Sequence, residues 1–229
     1  MKNKITIAID GPAGSGKSTV AKRVAEILGL LYLDTGAMYR AVTLKALRAG
    51  IDPADGETLA ALAAGTELAF VRREDGSYHL FMDGQDVSTE IRSSEVTQHV
   101  SAVSAVPAVR TVLVKQQQMI ARPGGVVMDG RDIGTVVLPH ADLKIFLTAS
   151  LEERARRRWL ELTEKGFTGT REEIAADLQR RDAYDAGRPV APLKPAPDSI
   201  IIDTSNLGIE EVVERILALA SSSRPGQEE

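Results

Sequence analysis

The nine residues GPAGSGKST, positions 11–19, follow a short apolar run and precede a stretch of helical period. Gly11, Gly16, Lys17 and Ser18 satisfy G-x-x-x-x-G-K-[ST] in the strand–loop–helix setting that the motif requires. The glycines let the backbone turn so that successive N–H groups converge on phosphate oxygens, and the helix after Gly16 adds its positive end. Lys17 is placed to reach the β- and γ-phosphates, and the Ser18 hydroxyl to ligate Mg²⁺. The whole run of Gly11, Pro12, Ala13, Gly14, Ser15, Gly16, Lys17, Ser18 and Thr19 is expected to cradle a nucleotide. A glycine-rich turn with no ligand is the bland alternative, and the flanking context speaks against it.

The rest of the chain is organised to match. Apolar runs at 5–9, 30–33, 126–128, 143–147 and 200–202 alternate with helical patterns at 17–28, 37–49, 107–121, 151–164, 171–186 and 209–219. That alternation predicts an α/β protein with a central parallel sheet and crossover helices. Residues 66–91 depart from it, alternating apolar with polar and carrying turn signals at Asp75-Gly76 and Asp83-Gly84. They predict a small antiparallel β insert. The stretch 181–197 is rich in proline after Gly187 and is expected to be an ordered loop at the carboxyl edge of the sheet.

Bulk properties narrow the partners. The 229 residues are 43% hydrophobic and 26% charged, enough for a full core with small appendages. A net charge of -4 argues against binding to polyanionic nucleic acid or membrane surfaces. There is no cysteine for a disulfide or thiolate metal site, and no apolar run long enough to span a bilayer. The first ten residues lack the core of a signal peptide, so a cytoplasmic location is the expectation. The mixed-charge surface favours a monomer, and residues 221–229 are expected to form a flexible tail.

Whether the phosphate goes to water or to a second molecule is decided by other residues. No N-K-x-D signature follows the loop, no L-S-G-G-Q run is present, and Met128-Asp129 is followed by Gly130 and Arg131 rather than a glutamate. A hydrolytic switch or motor is disfavoured. Arginines are abundant instead: Arg40, Arg110, Arg131, Arg154, Arg157, Arg158, Arg181 and Arg188. Their planar forks suit phosphate oxygens, and a site joining two phosphorylated molecules needs several. Arg154, Arg157 and Arg158 share one helix face by spacing. Read blandly they pair with Glu152, Glu153 and Glu161; read functionally they line a lid hinged at Gly166 and Gly169 that excludes water.

Three further motifs carry a resemblance. DTGAMYR at 34–40, DGRDIGTVV at 129–137 and RDAYDAGRPVAPL at 181–193, with the insert and the phosphate loop, resemble the bacterial cytidylate kinase family over residues 5 to about 219. The resemblance implies a three-layer P-loop NTPase fold with a helical lid and a β insert in the acceptor region. It implies a core of 1–35, 111–150 and 166–220, an acceptor-binding region of 36–110 and a lid of 151–165. The activity it implies is transfer of the γ-phosphoryl group of ATP to CMP or dCMP, with Mg²⁺. Arg40 and Arg131 would hold the acceptor phosphate; Thr35, Arg110, Asp132 and Arg188 would surround the pyrimidine; Ser101, Arg181 and Asp185 would meet the sugar. Lys17, Arg131, Arg154 and Arg158 would face the transferring group. Kinases of the same fold acting on UMP, AMP or shikimate are the nearest rivals.

The chemistry supports such roles independently. An acceptor phosphate is already anionic at neutral pH, so positioning and charge neutralisation suffice and no general base is required. His79, His99 and His140 lack metal-ligand spacing and read as structural or surface residues. A carboxylate such as Asp132 accepts from the cytosine amino group and repels the uracil carbonyl. Asp10 has no role assigned by these patterns. Asp34 is open between a helix cap and a site residue, and Asp129 between a metal site and a base contact.

Overall fold

Residues 5–74, 76–164 and 166–223 are described by the structure, a computed structural model. The Asp75 half of one expected turn, Lys165 of the expected lid and most of the expected flexible tail lie outside the described residues. In chain order the elements are β1 (Ile7–Asp10), α1 (Lys17–Leu28), β2 (Leu31–Asp34), α2 (Thr35–Arg48), α3 (Gly56–Ala64), β3 (Leu68–Arg72), β4 (Tyr78–Met82) and β5 (Gln85–Asp86). There follow α4 (Ser94–Ala105), α5 (Pro107–Ala121), β6 (Val126–Gly130), β7 (Leu143–Thr148), α6 (Leu151–Thr163), α7 (Arg171–Gly187), β8 (Ile200–Asp203) and α8 (Ile209–Ser222). A 3₁₀ turn at Glu90–Arg92 precedes α4, and a π-helical turn at Ile133–Val137 links β6 to β7. The described residues form two compact units, one within Met1–Tyr32 and Ala121–Glu229 and the other within Leu33–Ile120.

The first unit is built on a five-stranded sheet of order β2-β6-β1-β7-β8, in which β1 pairs in parallel with β6 and β7, and β7 with β8. All of β1 and β6 is buried, which is why both read as continuous apolar runs rather than alternating ones. α1 packs against β6 and α8, and α8 against β7. Because these strands run the same way, the loops after β1, β6, β7 and β8 all leave the carboxyl edge, where ligands of open α/β sheets bind. α6 and α7 form a helical hairpin whose apolar faces meet around Ala13, Ala155, Ile174 and Leu178.

The second unit packs α2 on α4 and closes over the antiparallel sheet β3-β4-β5. Ala37, Ala41 and Leu44 of α2 share a core with Leu80, Met82, Val87, Ile91 and Val96. The expected turn at Asp83-Gly84 joins β4 to β5 with positive φ at both residues, 50° and 79°, as the favoured two-residue hairpin turn demands.

Several elements differ from the sequence expectation. α3 and α4 were not legible in the pattern. α4 is rich in serine and β-branched residues that favour helices weakly, and it forms because Ser93 caps it and Val96, Val100 and Val103 bury one face. The expected loop at 181–197 begins only at Arg188, since α7 continues through Gly187. Pro189 then forces the preceding residue out of helical space, and Arg188 is extended with φ -61° and ψ 134°.

Candidate active site

The phosphate loop connects β1 to α1 within the first unit, and its shape is enforced by packing. A Cβ on Gly11 would lie 2.1 Å from the Leu147 carbonyl oxygen, so the loop crosses β7 where no side chain fits. Gly16 caps α1 in the left-handed region at φ 86°. Lys17 is buried, and its Nζ donates to the Pro12 carbonyl at 3.2 Å, folding the side chain along the loop. Ser18 Oγ donates to Asp129 Oδ2 at 2.7 Å, and the Tyr32 hydroxyl donates to Asp129 Oδ1 at 2.9 Å. Asp129, next to last in β6, therefore meets the loop serine, a geometry that favours the metal-site side of its two readings.

The hairpin of α6 and α7 reaches the same loop. Arg154 is buried: its Nε donates to the Ala149 carbonyl at 3.0 Å and its Nη1 to Ala13 O at 3.1 Å and Asp182 Oδ2 at 2.6 Å. Arg157 donates to Glu153 at 2.8 Å and to both the hydroxyl and the carbonyl of Thr204 at 3.0 and 2.5 Å. Thr204, just after β8, lies within 3.3 Å of the Ser15 carbonyl and so joins α6 to the phosphate loop. Arg158 pairs with Glu161 at 2.6 Å. Glu153 is held down to about 2, first by Arg156 and, against partial burial, by Arg157. The spacing-based reading put Arg154, Arg157 and Arg158 on one open face; their three destinations are different.

A second basic cluster occupies the segment after β6 and the end of α7. Arg131 Nε donates to Asp185 Oδ2 at 2.8 Å, and Arg188 Nε donates to the Asp185 carbonyl at 3.2 Å. Burial pushes the Asp185 carboxyl up, but Arg131, Arg188 and Arg181 together hold it below the usual range. Arg181 is lowered by burial first and by the charge of Arg131 second. One carboxylate thus faces three guanidinium groups, and the surplus of positive charge suits an anion. Asp132 is buried at the entry to the π turn, its carbonyl accepting from Val136 N at 2.9 Å.

In the second unit Asp34 accepts from Ala37 N at 2.9 Å and so caps α2, the first of its two readings. Thr35 is buried in the first turn of α2. Arg40 Nη1 donates to Ile91 O at 3.1 Å and Thr97 Oγ1 at 2.9 Å. Arg110 is buried on α5, donates to Ser104 O at 3.1 Å and stands 5.3 Å over the Tyr39 ring. The Ser101 carbonyl accepts from Ser104 Oγ on α4.

A family model described as cytidylate kinase matches residues 7–222. The chain belongs to the cytidylate kinase family. It is 55% identical over 219 residues to a cytidylate kinase of Desulfitobacterium hafniense (strain Y51), covering 96% of this chain and 94% of that one. It is 52% identical over 217 residues to a cytidylate kinase of Mycolicibacterium paratuberculosis, covering 94% and 95%. Among solved structures, a gluconokinase from Sinorhizobium meliloti 1021 superposes with a TM-score of 0.50 at 14% identity over 98% of this chain and 95% of that one, a likeness of fold alone.

Within this cytidylate kinase family member, sequence patterns passed over Tyr32, Asp182 and Thr204, which fasten Asp129, Arg154 and Arg157. Thr204 carried a usable signal, a polar residue directly after an apolar strand. Tyr32 and Asp182 carried none, because their partners are remote in the chain. No group of three or more His, Asp or Glu able to hold a metal occurs among the described residues. The hard oxygens of Ser18 and Asp129 fit Mg²⁺, which takes few protein ligands and leans on phosphate and water. No helix among the described residues is long and apolar enough to cross a membrane.

Proposed function

We infer that the protein transfers the γ-phosphoryl group of ATP to CMP or dCMP, giving ADP and CDP or dCDP. The observation that carries this is the coincidence, in one family member, of a complete phosphate loop with the Arg131–Asp185–Arg188 cluster, whose Asp185 and Arg188 are buried, in the segments that serve the acceptor in the family resemblance. ATP is the donor. Gly11 to Thr19 are proposed to cradle its phosphates, with Lys17 against the β- and γ-oxygens. Ser18 and Asp129 would hold Mg²⁺, which when bound neutralises charge on the transferring group. In the first unit Arg131, Asp132, Arg181, Asp185 and Arg188 are proposed to bind the acceptor, and in the second Thr35, Arg40, Ser101 and Arg110.

The acceptor phosphate oxygen attacks the γ-phosphorus as its bond to the β–γ bridging oxygen breaks, and no protein base takes a proton. Arg131 and Lys17 oppose the charge spread over the equatorial oxygens. Arg154, pinned to the Ala13 carbonyl, braces the phosphate loop, and Arg158, paired with Glu161, is proposed to face the transferring group. The α6–α7 hairpin is proposed to shield the reacting phosphate from water. The proposal extends to a monomer working in the cytoplasm, where sedimentation and fractionation test it.

A coupled ADP-release assay with CMP, dCMP, UMP, AMP and shikimate in turn decides the acceptor. Fast release with CMP and almost none without an acceptor is expected. Equal release without any acceptor would establish a hydrolytic switch, and a preference for another acceptor would establish one of the rival kinases.

A further inference from the structure

Arg131 and Asp132 leave β6 and run straight into the π-helical turn Ile133–Val137. Such turns are uncommon and cluster at functional sites, and the N–H groups opening this one require acceptors. Asp10 supplies them. It is the last residue of β1, adjacent to Gly11, and it is 3% exposed. Its Oδ1 accepts from Ile133 N and its Oδ2 from Gly134 N, each at 2.8 Å. Gly134 makes the approach feasible: a Cβ there would sit 3.2 Å from Lys144 Cδ and 3.4 Å from Asp10 Oδ2. At the far end of the segment, Lys144 Nζ donates to the Pro139 carbonyl at 2.5 Å while pairing with Asp198 at 2.7 Å. Residues 133–139 are thus fastened to the sheet at both ends, by β1 and by β7.

We propose that Asp10 is a positioning residue for the acceptor, whose carboxylate fixes the backbone at 133 and 134 and through it aims Arg131 and Asp132 at CMP. The inference rests on the reading that those two residues bind CMP. The charged groups facing Asp10 are Asp132, which raises its carboxyl, and Lys17, which lowers it; burial is the larger influence, and the two N–H bonds oppose it. With its carboxyl pushed up to about 6, Asp10 is ionised at neutral pH and both oxygens accept. The substitution Asp10→Asn keeps one acceptor and turns an N–H₂ group toward the other amide, whereas Asp10→Ala removes both acceptors, so a graded series is available.

The test compares wild type, D10N and D10A at pH 7.5 in three measurements: hydrogen exchange at the amides of residues 133 and 134, KM for CMP, and equilibrium ATP affinity. Faster exchange at both amides is expected, with KM for CMP raised about tenfold in D10N and more in D10A, and ATP affinity held within about twofold. If KM for CMP and ATP affinity worsen together, or exchange quickens while KM for CMP stays put, Asp10 is structural only and the inference falls. D10N preserves shape, so it supplies the decision if D10A does not fold. A wild type inactive with CMP would overturn the underlying functional reading instead, and it does so before any variant is made.

Discussion

Asp10→Asn removes a titrating group from the interior with little change of shape, so it isolates the influence of that group on stability. The folded carboxyl stands at about 6 against an ordinary value of 3.8, first because it is buried and further because Asp132 is near, with the Gly134 and Ile133 N–H groups and Lys17 opposing. The folded state therefore holds the proton more tightly than the unfolded chain does. The associated stability is fully present below 3.8 and is lost as pH rises through 6. The values differ by about 2.2, which corresponds to about 3 kcal/mol in full, of which about 2 kcal/mol falls between pH 4.5 and 7.5. Urea unfolding of both proteins at those two pH values reads it directly. The hydrogen bond lost in the variant is a pH-independent offset and cancels in the comparison. D10N should gain about 2 kcal/mol on wild type over that range. A change below about 0.5 kcal/mol, or one of opposite sign, refutes the assignment of a buried, raised carboxyl at this position.

Asp132→Ala should erase the preference for CMP over UMP, since the acceptor for the cytosine amino group is gone; a rate ratio unchanged from wild type would remove Asp132 from base recognition. Gly11→Ala should destabilise the fold by about 3 kcal/mol or more and abolish ATP binding, because its Cβ would stand 2.1 Å from the Leu147 carbonyl oxygen; thermal melts and nucleotide titration check both. Arg154→Ala leaves Asp182, whose side chain is 25% exposed, without its cation and frees the Ala13 carbonyl. A loss of about 2–4 kcal/mol in stability is expected, together with weaker ATP binding, measured by chemical unfolding and calorimetry.

How far the chain could be read depended on whether partners were local. The phosphate loop was legible because its work is done by neighbouring backbone groups, and β1 and β6 because burial on both faces leaves a continuous apolar run. The Asp83-Gly84 turn was legible because only certain residues accept positive φ there. α4 was not, since its helix depends on tertiary burial of Val96, Val100 and Val103 rather than on propensity. The arginines were visible as a type but not as a set of destinations. Equal spacing on α6 suggested one shared face, whereas Arg154 went to the phosphate loop, Arg157 to Thr204 and Arg158 to a neighbouring glutamate.

Asp10, Asp34 and Asp129 make the division plain. By itself the sequence determined that this chain folds as an α/β phosphate binder of the cytidylate kinase family, because motif spacing and hydrophobic period act over a few residues and survive without knowledge of the rest. Only the tertiary structure decided that Asp34 caps a helix, that Asp129 meets Ser18, and that Asp10 holds the π turn. The last two bonds join residues more than a hundred positions apart. A carboxylate can satisfy many donors, and which donors it meets is set by the strand order that brings β1 and β6 side by side.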